Sequence, residues 1–182
     1  MSRWRFIALL ALMPGAAPAA SAPAGLLGRS VVIGWTDSVV RTAEGQSIAR
    51  TRNWAHELRI YISSAGRPFS RLQSNAFGPR NRAAAASDQG PGDTTASRGE
   101  ARSVHFEGRA LVVVSLLESG ARRILVDFDA AYATCTATVI YGREHGATIR
   151  QTGLGGLKIQ VHSIESSSFS CAVREGNVLT GP

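Results

Sequence analysis

Over most of the chain after residue 28, apolar and polar residues alternate with a period of two, and there is no sustained helical stripe. Such alternation is typical of half-buried β-strands. The apolar sides of the alternating runs include Val31, Ile33 and Trp35; His56, Leu58, Ile60 and Ile62; Val104 and Phe106; Ile124, Val126 and Phe128; Cys135, Ala137, Val139 and Tyr141; Leu157, Ile159 and Val161; and Phe169, Cys171 and Val173.

These runs form about eight or nine short strands separated by turn residues, a series that indicates an antiparallel meander. Ala110–Leu117 is nearly all apolar, as in a strand that is buried on both faces. We therefore expect an all-β fold, a single antiparallel up-and-down β-barrel of about eight strands, calycin-like, with a β-sandwich as the alternative. A barrel of this size is able to hold one small ligand.

The first 24 residues have the pattern of a secretory signal peptide. Arg3 and Arg5 precede an apolar run from Phe6 to Met13, and small residues with A-x-A spacing follow. The apolar run is too short to span a membrane as a helix. We expect cleavage between Ala20 and Gly25, and a bacterial protein that is periplasmic or secreted and not membrane-spanning.

The remainder, residues 25–182, has the length of a single β-domain. Within it, residues 78–100 contain no large apolar side chain and are rich in Gly, Pro, Ala and Ser. This composition predicts a long flexible loop between two hairpins.

Cys135 and Cys171 are the two cysteines of the chain, and both fall on the apolar side of their strands. An even cysteine count in an exported chain favours a disulfide, and this parity suits a bridge that faces the core. Closing the loop between them would contribute about 4 kcal/mol in the chain-entropy model.

The net charge is +7 and the isoelectric point is near 10.6. A basic surface suits an anionic envelope component, such as lipid phosphates or an acidic polysaccharide, or it is simply a soluble surface rich in Arg. Nucleic-acid binding usually adds aromatic side chains between the basic ones. Aromatic residues make up 7% of this chain and rarely neighbour Arg, so nucleic acid is not expected as a partner.

No catalytic or cofactor motif is present, and no cofactor is expected. His105 and Glu107 share one face of a strand and would supply half of a zinc or copper site, although a solvated polar face is the simpler explanation. Asp127 and Asp129 also share a face, where the neighbouring Arg122 and Arg123 favour ion pairing over paired-carboxylate catalysis.

Several segments together resemble a group of small exported proteins from soil- and root-associated bacteria: GRSVVIGWTDSVVR (28–41), ISSAGRPFSRL (62–72), GARRILVDFD (120–129), CTATVIYGREHG (135–146) and SCAVREGNVL (170–179). The resemblance implies an exported compartment and a shared fold, and it carries no site residues or activity. The Gly34-Trp35 pair also resembles the first-strand Gly-x-Trp of lipocalins, but the intervening residue is missing.

Three functions remain open. The first is a non-enzymatic module that binds a small ligand or an anionic envelope component, which an interior lined by Trp35, Tyr61 or Tyr141 would favour. The second is a metal-dependent or other hydrolase, which three convergent His, Glu or Asp side chains would favour. The third is a structural envelope protein without a ligand, which a completely filled interior would favour.

Overall fold

The computed structural model describes residues 21–77, 87–89, 101–117, 120–142, 148–150 and 158–179, so that most of the predicted signal peptide lies outside the described residues. Within these ranges, a short 3-10 helix at Ala24–Leu26 precedes ten strands: β1 (Arg29–Ala43), β2 (Arg50–Ile62), β3 (Pro68–Phe77), β4 (Ser87–Gln89), β5 (Ala101–Glu107), β6 (Ala110–Leu117), β7 (Gly120–Phe128), β8 (Cys135–Gly142), β9 (Thr148–Arg150) and β10 (Lys158–Glu175).

The strands form two antiparallel sheets. Sheet one has the order β4-β3-β2-β1-β10-β9, and sheet two has the order β5-β6-β7-β8. The expectation of an antiparallel all-β domain is therefore confirmed. Among the described residues the hydrogen-bonded ladders do not close into one barrel, so a sandwich describes them as well as a barrel does.

The core lies between the sheets, on the apolar sides that the alternation predicts. On sheet two, successive rows across the strands are apolar: Phe106, Leu111, Val126 and Ala137, followed by Val104, Val113, Ile124 and Val139. On sheet one, β1 and β2 contribute Val31, Ile33, Leu58 and Ile60 to the same cluster. Packing of these rows against each other removes both apolar faces from water and holds the sheets together.

Strand β6 only partly fits the prediction of a strand buried on both faces. Val112 and Val113 point to opposite faces, and both are fully buried. Four residues after Val112, on the same face, Leu116 is 58% exposed. The outer face of sheet two is thus covered in the middle of β6 and open to solvent near its end.

The disulfide prediction is confirmed. Cys135 at the start of β8 is bonded to Cys171 in β10, and their Cα atoms are 5.5 Å apart. Since β8 belongs to sheet two and β10 to sheet one, the bond joins the two sheets covalently.

Strand β10 departs from the predicted alternation at two β-bulges. Its register with β1 shifts between Gly34 and Thr36, where the strand carries one extra residue and Ser168 has a φ of 55°. Beyond the extra residue, each side chain of β10 points to the face opposite the one that regular alternation would give it. The prediction that Phe169 shares the apolar face of Cys171 is therefore wrong, and Phe169 is 45% exposed.

Within the predicted loop at 78–100, the structure describes residues 87–89. They form β4, which pairs with β3 at Ser70, Arg71 and Leu72. The rest of that range lies outside the described residues. No helix in the described part of the chain is long and apolar enough to cross a membrane.

Candidate functional site

Beyond the two apolar rows of sheet two, the next row toward the ends of the strands is polar. It consists of Arg102, Ser115, Arg122 and Tyr141 in register across four strands. The same alternation that places Val113 and Ile124 inside also places this row inside, because these positions lie two residues further along each strand. Arg102 and Arg122 are 3% and 4% exposed.

Sheet one changes from apolar to polar at the corresponding end. Trp35 pairs with His56, and His56 in turn pairs with Ser74. Asp37 follows Trp35 by two residues, and it is opposite Ser166 in β10. We call Trp35, Asp37, His56, Ser74, Arg122, Tyr141 and Ser166 the polar cluster.

Asp37 is the centre of hydrogen bonding in the polar cluster, with a side chain that is 5% exposed. The Tyr141 hydroxyl donates a short hydrogen bond to Asp37 Oδ2, and the Ser166 hydroxyl donates to Oδ1 at 2.7 Å. Burial raises the pKa of Asp37, but the contacts with His56, Tyr141 and Ser166 outweigh burial and hold the pKa below its usual 3.8. The carboxylate is therefore ionised at neutral pH.

The His56 ring lies between Asp37 and Ser74. Its Nε2 is 2.9 Å from Asp37 Oδ2, and its Nδ1 is 2.7 Å from Ser74 Oγ. The Nε2–H bond is not aligned with Oδ2 as in a linear hydrogen bond, so we treat this contact as electrostatic. Trp35 stacks on the ring, with centroids 4.8 Å apart and an interplanar angle of 21°. These contacts fix the ring on three sides.

Arg122 and Tyr141 bring sheet two into the polar cluster. The guanidinium carbon of Arg122 lies 5.2 Å from the centroid of the Trp35 ring, within the range of a cation–π contact. An Arg122 N–H also donates to Ser115 Oγ at 3.3 Å. Burial raises the pKa of Tyr141 well above its usual 10.0. Arg122 acts to lower this pKa, but the carboxylate of Asp37 acts to raise it. Tyr141 therefore remains a hydrogen-bond donor at neutral pH.

The predicted metal pair is on the opposite, outer side of sheet two. His105 Nε2 and Glu107 Oε1 are 3.1 Å apart, and both side chains are substantially exposed. Glu107 Oε2 accepts a hydrogen bond from Arg123 at 2.9 Å. The described residues contain no group of three or more His, Cys, Asp or Glu side chains placed to hold a metal. His105 and Glu107 therefore remain the predicted half of a metal site.

The predicted pairing of Asp127 and Asp129 with Arg122 and Arg123 does not occur. Arg122 points into the core, and Arg123 contacts Glu107. Asp129 instead accepts the main-chain N–H of Ala133 at 2.8 Å, and such contacts hold its pKa below the usual 3.8. Asp129 thus shapes the turn before β8.

Sequence reasoning did not identify Asp37, Ser74 or Ser166 as functional residues. They share no motif because they come from three different strands, and their proximity arises from strand pairing. His56 was placed on an apolar side of the alternation, which is where it lies. A polar residue on an otherwise apolar side was the available signal, and Asp37 carries the same signal two residues after Trp35.

No family model, no curated protein and no solved structure matches this chain. The polar cluster is therefore the only basis for inferring what the protein does, and the family resemblance described above remains a prediction.

Proposed function

We propose that this protein is an exported β-domain that binds a small anionic ligand at the polar cluster. The proposal rests on the burial of Trp35, which is 2% exposed. Its indole Nε1–H has no acceptor within the described part of the chain. A buried donor without an acceptor is costly, and a ligand that carries an acceptor oxygen would satisfy it.

The charge of the site favours an anion. Arg122 lies against the Trp35 ring, and Arg102 occupies the same row two strands away. Guanidinium groups recognise carboxylate, sulfonate and phosphate oxygens with paired hydrogen bonds. Among the described residues, the buried charged side chains are those of Arg102 and Arg122, which are positive, and that of Asp37, which is negative.

Two of the three aromatic residues that would favour a binding function lie in the polar cluster. Trp35 and Tyr141 face the interior, from β1 and β8 respectively. Tyr61 is on the other face of β2, where its ring centroid is 6.4 Å from that of Phe69. We propose that the ligand contacts Trp35 and Tyr141 and does not reach Tyr61.

Two further parts of the proposal concern the whole chain. Export to the periplasm or the medium is supported by the disulfide, since such bonds persist in oxidising compartments. Closure of the two sheets into a calycin-like barrel is supported by the proximity of β8 to β10 and of β5 to β3. N-terminal sequencing of the native protein tests export, and cleavage between Ala20 and Gly25 is expected.

Arg122→Gln and Arg123→Gln form a matched pair that tests binding. Both variants remove one positive charge from β7, but Arg122 is buried in the polar cluster and Arg123 lies on the outer face. The probe is 8-anilinonaphthalene-1-sulfonate, titrated into the oxidised mature protein and followed by its fluorescence. We expect Arg122→Gln to weaken binding by about 10-fold or more, the effect of losing one charge-assisted hydrogen bond.

Arg123→Gln is expected to bind the probe as the wild type does. Equal affinities in the two variants would contradict the proposed site. A wild-type protein that binds no probe, and that carries no small molecule in native mass spectrometry after purification from its own cells, would favour the structural envelope protein instead.

A further inference from the structure

Ser74, His56 and Asp37 form a continuous chain of polar contacts across β3, β2 and β1. Ser74 Oγ is 2.7 Å from His56 Nδ1, and His56 Nε2 is 2.9 Å from Asp37 Oδ2. A hydroxyl, an imidazole and a carboxylate in this order form the arrangement that activates a serine nucleophile, and it occurs on unrelated folds. The ring is used with Nδ1 toward the serine, the reverse of the common orientation.

The position of Asp37 suits the His56 tautomer that this chemistry uses. Asp37 is ionised, and its Oδ2 lies beside Nε2. In the neutral tautomer that this chemistry uses, the ring proton is on Nε2, beside that carboxylate. Nδ1 then presents a lone pair to the Ser74 hydroxyl, whose Oγ is 2.7 Å away.

The three residues differ in accessibility in the way that a reactive site requires. Asp37 and His56 have side chains that are 5% and 10% exposed. Ser74 is half-buried. Ser70 lies four residues earlier on the same strand and face, but it is 2% exposed, and its Oγ accepts a hydrogen bond from Arg102. The contact with a histidine thus distinguishes Ser74 from its neighbour.

We propose that Ser74 is a nucleophile activated by His56, and that the site cleaves small carboxylic esters. Ser74 Oγ forms a bond to the carbonyl carbon while its proton moves to His56 Nδ1. The bond from that carbon to the ester oxygen breaks, and the leaving oxygen takes the proton from Nδ1 to depart as an alcohol. Water then attacks the acyl-serine, with His56 as base, and releases a carboxylic acid.

Asp37 is a positioning residue in this scheme because it acts on the ring and not on the ester. This activity goes beyond ligand binding, and it does not depend on the identity of the anionic ligand.

The test uses the oxidised mature protein and a fluorescent alkyl fluorophosphonate, which phosphonylates activated serines. Mass spectrometry of the digested wild type is expected to locate the label on Ser74. Hydrolysis of p-nitrophenyl acetate gives a second readout of the same group. Ser74→Ala is expected to abolish both signals, and His56→Gln is expected to slow both by about 100-fold or more, the typical contribution of a general base.

Ser70→Ala is the matched control and is expected to react like the wild type. Asp37→Glu is expected to retain more reactivity than Asp37→Asn, because only the former preserves a carboxylate beside Nε2. Absence of label from the wild type, label on another serine, or equal reactivity in Ser74→Ala would overturn the proposal. A wild type that binds the anilinonaphthalene probe but takes up no phosphonate would overturn this proposal alone, so the failure of one proposal is distinguishable from the failure of the other.

Discussion

Asp37 is stable as a buried carboxylate because its neighbours replace the hydration that it loses. Two hydroxyl groups donate to its oxygens, and His56 lies beside one of them. A buried charge without such partners would cost several kcal/mol, and it would take up a proton instead. These contacts outweigh the effect of burial and hold the pKa of Asp37 below 3.8.

Asp37→Asn is expected to change how stability depends on pH. A depressed carboxyl pKa contributes stability that is present above the unfolded value, near 3.8, and is lost as pH falls through the lower folded value. Below about pH 4 the wild type should therefore lose the stability that ionised Asp37 contributes, whereas the variant has no such contribution to lose. Urea midpoints of the two proteins, measured between about pH 2.5 and about pH 7 in steps of about half a pH unit, test this difference.

At neutral pH the same variant is expected to be less stable by about 1–3 kcal/mol, because donors that face position 37 lose a charged acceptor. Asp127→Asn, at an exposed position of β7, is the control and should follow the wild-type pH profile. A profile for Asp37→Asn that parallels the wild type at acid pH would show that Asp37 is not ionised in the folded protein.

Tyr141 is expected to cause a second change of stability with pH, at the alkaline end of the range. Its pKa is raised in the folded protein, so the unfolded chain releases this proton first as pH rises above about 10. Stability is therefore expected to fall above that pH in the wild type and to fall less in Tyr141→Phe. Urea midpoints at pH 8 to 11 test the difference, and identical slopes in the two proteins would be inconsistent with a protonated buried tyrosine.

At the scale of the strands, alternation decides which residues are inside until a bulge intervenes. In β8 the alternation is uninterrupted, and Cys135, Ala137, Val139 and Tyr141 all lie on the predicted side. In β10 the extra residue at Ser168 reverses the alternation, which is why Phe169 is exposed. The same reversal points Ser166 inward, where it donates to Asp37.

Val113→Asp and Leu116→Asp compare the two faces of β6. Val113 is fully buried between the sheets, whereas Leu116 is 58% exposed. An unpaired charge at position 113 is expected to destabilise the domain by at least about 3 kcal/mol. Leu116→Asp should change the free energy of unfolding by less than about 1 kcal/mol. Urea denaturation of both proteins measures the difference, and similar losses would show that the described inner face of β6 is not the core face.

At the scale of the whole molecule, the disulfide is a covalent cross-link between the sheets. Replacing both Cys135 and Cys171 by Ala is expected to destabilise the domain by about 4 kcal/mol, because the unfolded chain regains the entropy of the loop between them. The free energy of unfolding from urea titration gives the loss. The reduced wild type should match the double variant, and an unchanged stability in both would mean that the bond constrains neither state.

The sequence alone determined the fold class, the inner and outer side of most strands and the disulfide pair. Each of these follows from local information, since a period of two assigns every side chain to one of two faces. The inward positions of His56 and Tyr141 followed from the same pattern.

Only the tertiary structure decided which strands are neighbours, and the site depends on that choice. Asp37, His56 and Ser74 come together through the pairing of β1, β2 and β3, whereas Arg122 and Tyr141 reach them from the other sheet. Ser166 joins them because of a β-bulge in β10 that the local sequence does not indicate. Pairing and packing depend on contacts between distant residues, so alternation within one strand does not encode them.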